Sequence, residues 1–135
     1  MIKVIAFDVG GVLLKYFFWK NKKVLDLAIS LKKKYKVGII SNIDKFPSIL
    51  PMYQQVYSNF DENLVILSFQ VKSNKPGNRI FEIFIERTGL APDECLFIDN
   101  LRKNVISAEE IGMKGIVFKN FDQLLLELTK FGIQQ

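Results

Sequence analysis

Short apolar runs alternate along the chain with longer stretches in which apolar residues recur at spacings of three and four. Short runs between turn signals are typical of buried strands, and the wider spacing is typical of helices with one buried face. The predicted strands span residues 2–7, 37–40, 64–67, 94–98 and 115–118. The predicted helices span residues 21–35, 44–54, 78–88, 102–111 and 121–129. Strands separated by helices of this length predict an α/β fold with a parallel sheet and helices on both faces.

One predicted helix is irregular. The segment 44–54 contains Pro47 and Pro51, which interrupt helical hydrogen bonding, and Asp44 is interpreted as its N-cap. Elsewhere the sequence has no repeats, low-complexity tracts or linkers. We therefore predict a single domain over residues 1–135.

Composition agrees with a globular protein. Of 135 residues, 49% are hydrophobic and 24% are charged. The longest apolar runs are too short to cross a bilayer, and residues 1–7 lack the features of a secretion signal. Cys95 is the single cysteine, so no internal disulfide can form and a reducing compartment is expected. We predict a cytoplasmic protein with no membrane contact.

The net charge of +5 has two interpretations. A basic surface could attract phosphorylated substrates or nucleic acid. We favour a solvated helix end for the lysine-rich stretch 32–36. Its one aromatic residue, Tyr35, continues the apolar stripe of the predicted helix, so we do not expect nucleic acid as a partner. The chain has no histidine, which excludes imidazole as a base, nucleophile or metal ligand.

Four polar side chains follow the predicted strands. They are Asp8, Ser41, Lys75 (beyond a turn after the third strand) and Asp99. Ligands of open α/β sheets bind where the carboxyl ends of the strands meet. An aspartate after a strand is often only a turn residue, but two carboxylates, a hydroxyl and an ammonium together could hold a divalent cation and a phosphate.

The segments around these four residues resemble the four motifs of the haloacid dehalogenase-like (HAD) hydrolase superfamily. The similar segments are residues 5–13, residues 39–42, residues 75–81 and residues 95–105 followed by Ala108 and Gly112. The resemblance covers nearly the whole chain. It implies a three-layer Rossmann-like fold whose five parallel strands have the order 5-4-1-2-3.

The resemblance also implies a chemistry. Asp8 would be the nucleophile that forms an aspartyl-phosphate, with Ser41 and Lys75 as its catalytic partners. Mg²⁺ would be held by Asp8, Asp99 and the backbone carbonyl of Gly10. The implied phosphate-binding residues are Val9, Gly10, Gly11, Ser41, Asn42 and Lys75. Asn100 and Asn104 would support the metal site from behind.

The chain departs from the family at two positions near the site. Family phosphatases usually carry a general acid and base two residues after the nucleophile, where this chain has Gly10. General acid–base catalysis typically contributes ~10²–10⁴-fold, so a slow phosphatase is expected. Asp44 or Tyr16 could act instead, although we interpret them as a cap and a core residue. Asn100 stands where many relatives have aspartate, which would weaken cation binding.

A cap domain is also missing. Only 33 positions separate Asp8 from Ser41, and one predicted helix fills them. An open site is therefore expected, which suits a large phosphorylated substrate or coverage by a second copy of the chain. The aromatic run at positions 16–19 is interpreted mainly as core, with a rim for a substrate or a subunit interface as the alternative.

The leading hypothesis is a Mg²⁺-dependent phosphatase acting through Asp8. The alternative is a catalytically weak or inactive HAD-like domain that binds a phosphorylated ligand or a protein partner, which Gly10 favours. Haloacid dehalogenase chemistry ranks lower, because the chain lacks a cap to enclose an apolar pocket. A receiver domain is excluded, because its acceptor aspartate would follow a mid-chain strand, and residues 64–70 contain no acid.

Overall fold

The computed structural model describes residues 1–15 and 19–135. In chain order its helices and strands are β1 (Val4–Phe7), β2 (Leu14–Lys15), β3 (Trp19–Lys20), α1 (Lys22–Leu31), β4 (Lys36–Ser41), α2 (Lys45–Ser48), α3 (Pro51–Tyr57), β5 (Val65–Leu67), α4 (Ser68–Val71), α5 (Asn78–Thr88), β6 (Cys95–Asp99), α6 (Arg102–Glu110), β7 (Lys114–Val117) and α7 (Phe121–Lys130). Two 3₁₀ turns, Glu62–Leu64 and Pro92–Glu94, precede β5 and β6.

Five parallel strands form the central sheet, in the order β5-β4-β1-β6-β7. Counted among themselves from the β7 edge, these strands run 5-4-1-2-3, so the predicted order is confirmed. The structure differs from the prediction in one respect, because β2 and β3 form a separate antiparallel hairpin that the sequence did not predict. The fold is the expected three-layer Rossmann-like α/β arrangement.

Alternate residues of β1 face two different hydrophobic cores. Ile5 and Phe7 pack in the core built with α1, α3 and α7, whereas Val4 and Ala6 pack in the core built with α5 and α6. All four side chains are fully buried. This alternation follows from the two-residue period of a strand, and it explains why β1 reads as a continuous apolar run.

The irregular helix predicted at 44–54 is two short helices. Pro51 begins α3, where its missing N–H costs nothing, so the chain breaks between α2 and α3. Asp44 lies at the N-cap position of α2, but its side chain accepts no capping hydrogen bond. The interpretation of Asp44 as a side-chain cap was therefore wrong.

Between Asp8 and Ser41 the described residues form the hairpin and α1, and they build no separate cap domain. Tyr16 and the rest of the aromatic run up to position 18 lie outside the described residues, so the interpretation of that run stays a prediction. Trp19, at its end, is 67% exposed. None of the helices in the described ranges is long and apolar enough to span a bilayer.

Candidate active site at the carboxyl ends of the strands

The fold brings the four strand-end residues together. Asp8 follows β1, the central strand, and Ser41 and Asp99 end the two strands that flank it. Lys75 lies on the loop between α4 and α5, and its side chain extends to the carboxylates of Asp8 and Asp99. All four residues are at most 7% exposed. The structure therefore brings together the four residues that the sequence grouped, three of them at or directly after strand ends.

Lys75 forms the centre of the cluster. Its ammonium lies 2.8 Å from Asp8 Oδ1, 2.8 Å from Asp99 Oδ2 and 2.9 Å from the carbonyl oxygen of Ile40. An ammonium has three protons, so all of its donors are used. The nitrogen also lies 5.2 Å from the centre of the Phe97 ring. Lys75 is thereby fixed between the two carboxylates.

Asp99 is held by four donors. Oδ2 accepts from Lys75 and from Asn104 Nδ2 at 3.0 Å, and Oδ1 accepts from the backbone N–H of Leu101 at 2.9 Å. With its amide nitrogen facing the carboxylates, Asn100 donates to Asp99 Oδ1 at 3.1 Å and to Asp8 Oδ2 at 3.2 Å. Asn100 and Asn104 thus both contact the carboxylates, and their support of a bound metal stays a prediction.

Burial raises the pKa of Asp8 from 3.8 to about 6. The positive charge of Lys75 opposes this shift, and the negative charge of Asp99 adds to it. The main cause is thus the removal of the carboxyl group from water, which the ammonium shared with Asp99 does not offset. Asp8 is still mainly ionised at neutral pH, as a nucleophile must be.

Asn42 was predicted to bind phosphate, but its side chain is bonded to the backbone of Lys75. Its side-chain amide donates to the carbonyl of Lys75 at 2.9 Å and accepts from the N–H of Lys75 at 2.8 Å. These reciprocal bonds fix the backbone of the loop that carries the lysine. Sequence analysis could not find this pairing, because the two residues lie 33 positions apart on segments of unpredicted register.

The loop after β1 is folded on itself. The N–H of Gly11 donates to the carbonyl of Leu14 at 2.8 Å, and the carbonyl of Val9 accepts from Val12 and Leu14. The amide of Gly11 is therefore not available to a phosphate in this conformation. Gly11 has a positive φ of 86°, and an added Cβ would lie 2.5 Å from the side chain of Asn100. Glycine is required at this position.

A cavity of about 680 Å³ opens beside the cluster. Its lining residues are Val9, Gly10, Gly11, Ser41, Asn42, Ile43, Asp44, Pro47, Tyr53, Ser68, Asn74 and Lys75. It thus contains all six predicted phosphate-binding residues. A larger depression of about 1190 Å³ lies between α2, α3 and β5, but it contains none of the predicted site residues.

Several cavity residues were missed by the sequence analysis. Ser68 directly follows β5, so its strand-end position was a usable signal. Its hydroxyl accepts from the N–H of Ile43 at 2.9 Å and donates to the carbonyl of Ile43 at 3.1 Å. Tyr53 and Asn74 carried no comparable signal, because they reach the cavity from a helix and an irregular loop.

The described residues contain no group of three carboxylate, histidine or cysteine side chains that could hold a metal. They offer two carboxylates, Asp8 and Asp99. A magnesium ion is usually bound by one or two carboxylates together with water and phosphate oxygens, so this pair fits it. The fit does not extend to metals that require nitrogen or sulfur ligands.

No model of a known protein family matches the chain. The chain is 32% identical over 116 residues to bifunctional epoxide hydrolase 2 of Mus musculus, covering 82% of this chain and 21% of that protein. It is 26% identical over 121 residues to D-ribitol-5-phosphate phosphatase of Bacteroides thetaiotaomicron, covering 86% of this chain and 59% of that protein. The chain thus spans less than two thirds of either relative.

The fold matches a solved HAD-family enzyme of Bacteroides thetaiotaomicron in complex with magnesium and inorganic phosphate. The TM-score is 0.73 at 20% identity, covering 92% of this chain and 99% of the other. At this identity the likeness shows the fold. The chain therefore has the fold of HAD-family enzymes, as its resemblance to their four motifs implied, and it gathers the four motif residues at the carboxyl ends of the central strands.

Proposed function

We propose that this chain is a Mg²⁺-dependent phosphohydrolase that acts through an aspartyl-phosphate on Asp8. The observation that carries the proposal is the position of Lys75, whose ammonium contacts both Asp8 and Asp99 at 2.8 Å. A cation between two buried carboxylates suits a site that must accept both a metal and a phosphate. The phosphatase relative and the magnesium–phosphate complex of the structural neighbour support it.

Asp8, Asp99 and the carbonyl of Gly10 would hold the magnesium ion. When bound, the ion offsets the like charge between the attacking carboxylate and the phosphate. Asn104 keeps Asp99 oriented through its 3.0 Å bond to Oδ2. Asn100 contacts both carboxylates and must yield or rotate when the cation enters.

The reacting phosphate would lie in the cavity beside Asp8. A carboxylate oxygen of Asp8 attacks phosphorus in line, and the bond to the leaving oxygen breaks. Lys75 and Ser41 orient and neutralise the other phosphate oxygens. Of the loop amides, that of Gly10 remains for the phosphate, since that of Gly11 is bonded to Leu14 and that of Val9 to the Asp8 carboxylate. Asn42 then serves mainly to position Lys75.

The substrate is a phosphorylated compound that enters an open cavity. Because the described residues build no cap, a large substrate or a second copy of the chain covering the site remains part of the proposal. A single domain over residues 1–135 and a cytoplasmic location are also part of the proposal. The second candidate function is a weakly active binding domain, which the glycine at position 10 favours.

Turnover of p-nitrophenyl phosphate with Mg²⁺ tests the proposal. The expected result is phosphate release that requires Mg²⁺ and disappears in Asp8→Asn. Rapid quenching followed by borohydride reduction should convert Asp8 of the wild type to homoserine, which mass spectrometry detects. Turnover no higher than in Asp8→Asn, with no modified Asp8, would favour the binding domain.

A further inference from the structure

Among residues 1–15 and 19–135, few of the side chains that line the cavity beside Asp8 are ionisable. Among its lining residues these are Lys75, Tyr53 and Asp44. Hydrolysis of an alkyl phosphate needs a proton for the leaving oxygen, and the nucleophile itself cannot supply it. The question is therefore which of these three side chains can donate a proton into the cavity.

Lys75 cannot, because its three protons are already donated to Asp8, Asp99 and the carbonyl of Ile40. Tyr53 is only 6% exposed, and burial raises the pKa of its hydroxyl further above the ordinary value. A phenol of raised pKa gives up its proton poorly to a departing alkoxide and does not act as a base at neutral pH. Neither group fits the role.

Asp44 has the properties that the other two lack. It is exposed and lines the cavity together with Gly10 and Ser41. It lies at the start of α2, yet its side chain makes no capping hydrogen bond. A carboxylate in that position normally bonds to the first helical amides, so its side chain is available for another partner.

The backbone around Asp44 is fixed although the side chain is exposed. Asn42 is bonded in both directions to the backbone of Lys75. Ile43 is bonded in both directions to the hydroxyl of Ser68. The carbonyl of Asp44 accepts from Ser48 at 3.3 Å. The loop that carries the carboxylate is therefore tied to the loop that carries Lys75, which is the preorganisation that an acid–base group requires.

We propose that Asp44 is the general acid and base of this site, on a different strand end from the position where Gly10 stands. The inference rests on the proposed phosphohydrolase function. In the first step Asp8 bonds to phosphorus, the ester bond breaks, and the proton of Asp44 passes to the leaving oxygen. In the second step the water oxygen attacks phosphorus while the Asp44 carboxylate takes a proton from that water. The bond from Asp8 to phosphorus breaks.

Leaving-group dependence tests the role. Values of kcat/KM are measured with Mg²⁺ for a series of substituted phenyl phosphates and an alkyl phosphate, in wild type and Asp44→Asn. The alkyl phosphate should lose ~10²–10⁴-fold in the variant, because its alkoxide needs a proton. p-Nitrophenyl phosphate, whose leaving group is stable as an anion, should lose less than about tenfold. A plot of log kcat/KM against the pKa of the leaving group should therefore be steeper for Asp44→Asn than for the wild type.

Asp122→Asn is the matched control. Like Asp44, Asp122 is an exposed aspartate near a helix start, here in the first turn of α7, but it lies outside the cavity lining. The control removes the same charge and should leave every substrate unchanged. A second variant, Gly10→Asp combined with Asp44→Asn, should recover turnover of the alkyl phosphate, because a Cβ at Gly10 meets no atom within 4 Å.

Two results would overturn the inference while leaving the proposed function intact. One is an equal loss for all leaving groups in Asp44→Asn, which indicates a role in binding. The other is no loss at all. If the wild type turns over no substrate faster than Asp8→Asn, the phosphohydrolase function and this inference both fail. Melting temperatures of the variants, measured alongside, confirm that each is folded.

Discussion

The ammonium of Lys75 lies 2.8 Å from Oδ2 of Asp99, and the two side chains are only 2% and 0% exposed. Because the same ammonium also contacts Asp8, one buried cation serves two buried carboxylates. The three side chains of Asp8, Lys75 and Asp99 therefore carry excess negative charge before any metal binds. This imbalance determines how the protein responds to mutation, pH and Mg²⁺.

Replacing Lys75 by methionine should destabilise the metal-free protein strongly. Breaking a buried ion pair from one side leaves uncompensated charge, so the free energy of unfolding at neutral pH should fall by about 3–5 kcal/mol. Methionine keeps the length of the side chain against Phe97. Urea unfolding in EDTA provides the measurement.

The control for this change is Lys130→Met. Lys130 pairs with Glu127 at 2.9 Å, but its side chain is 70% exposed. Exposed pairs contribute about 0–1 kcal/mol, so this variant should stay close to wild type. A similar small loss in Lys75→Met would contradict the central position of the lysine in the stability of the site.

The raised pKa of Asp8 predicts a specific pH dependence of stability. Its folded pKa of about 6 lies above the ordinary 3.8, so the folded state holds this proton more tightly than the unfolded state. The contribution of Asp8 to stability is therefore greatest below about pH 4 and is lost as the pH rises through 6. The loss amounts to roughly 3 kcal/mol.

Comparison with Asp8→Asn isolates this contribution. In EDTA, the unfolding free energy of wild type minus that of the variant should fall by about 2–3 kcal/mol between about pH 4 and pH 7. Groups elsewhere in the protein affect both proteins equally and cancel in the difference. A difference that rises with pH would show that Lys75 outweighs burial and holds the pKa of Asp8 down.

Asn100→Asp should exchange metal-free stability for magnesium affinity. The amide of Asn100 donates to both carboxylates, at 3.1 and 3.2 Å. An aspartate there removes both donors and adds a third negative charge. Metal-free stability should fall by about 1–3 kcal/mol, and the affinity for Mg²⁺ should rise about tenfold, since affinity follows ligand charge.

Calorimetric titration with Mg²⁺ and melting temperatures with and without the ion check both halves. Asn120→Asp is a suitable control, because Asn120 caps α7 by accepting from the N–H of Gln123, and an aspartate caps equally well. It should alter neither quantity. A lower magnesium affinity in Asn100→Asp would show that the amide oxygen itself is a ligand.

The sequence predicted the helix at 78–88 to the residue, because its apolar residues recur with a helical period and clear ends. It predicted all five strands of the sheet, because each is a short apolar run between turn signals. It missed α4, which has four residues and too little sequence for a period. It also missed the hairpin of β2 and β3, whose strands have two residues each. Boundary residues shifted by up to four positions, as at the end of α1.

Strand ends were enough to group Asp8, Ser41 and Asp99, and Lys75 was grouped with them from its position beyond a turn after the third strand. The sequence could not show that one ammonium contacts both carboxylates, because this depends on the path of a loop that no pattern describes. The cap interpretation of Asp44 failed for a related reason. Capping depends on the orientation of a side chain, and the sequence indicates only its position at a helix start.

The two adjacent glycines of the catalytic loop should respond oppositely to alanine. A Cβ at Gly10 meets no atom within 4 Å, whereas a Cβ at Gly11 would lie 2.5 Å from the side-chain amide of Asn100 in a backbone with a φ of 86°. Gly10→Ala should therefore leave the unfolding free energy within about 0.5 kcal/mol or raise it. Gly11→Ala should lower it by about 1–3 kcal/mol.

Urea unfolding of the two variants measures the contrast, and the two changes control for each other because they add the same methyl group to neighbouring residues. Equal losses at both positions would mean that the loop as a whole excludes side chains. If only Gly11→Ala is destabilised, the fold requires glycine at position 11 and not at position 10. In that case the fold does not explain why position 10 lacks a carboxylate, and the lack bears on the chemistry of the site. A different acid, Asp44 in the loop after β4, then has a role to fill.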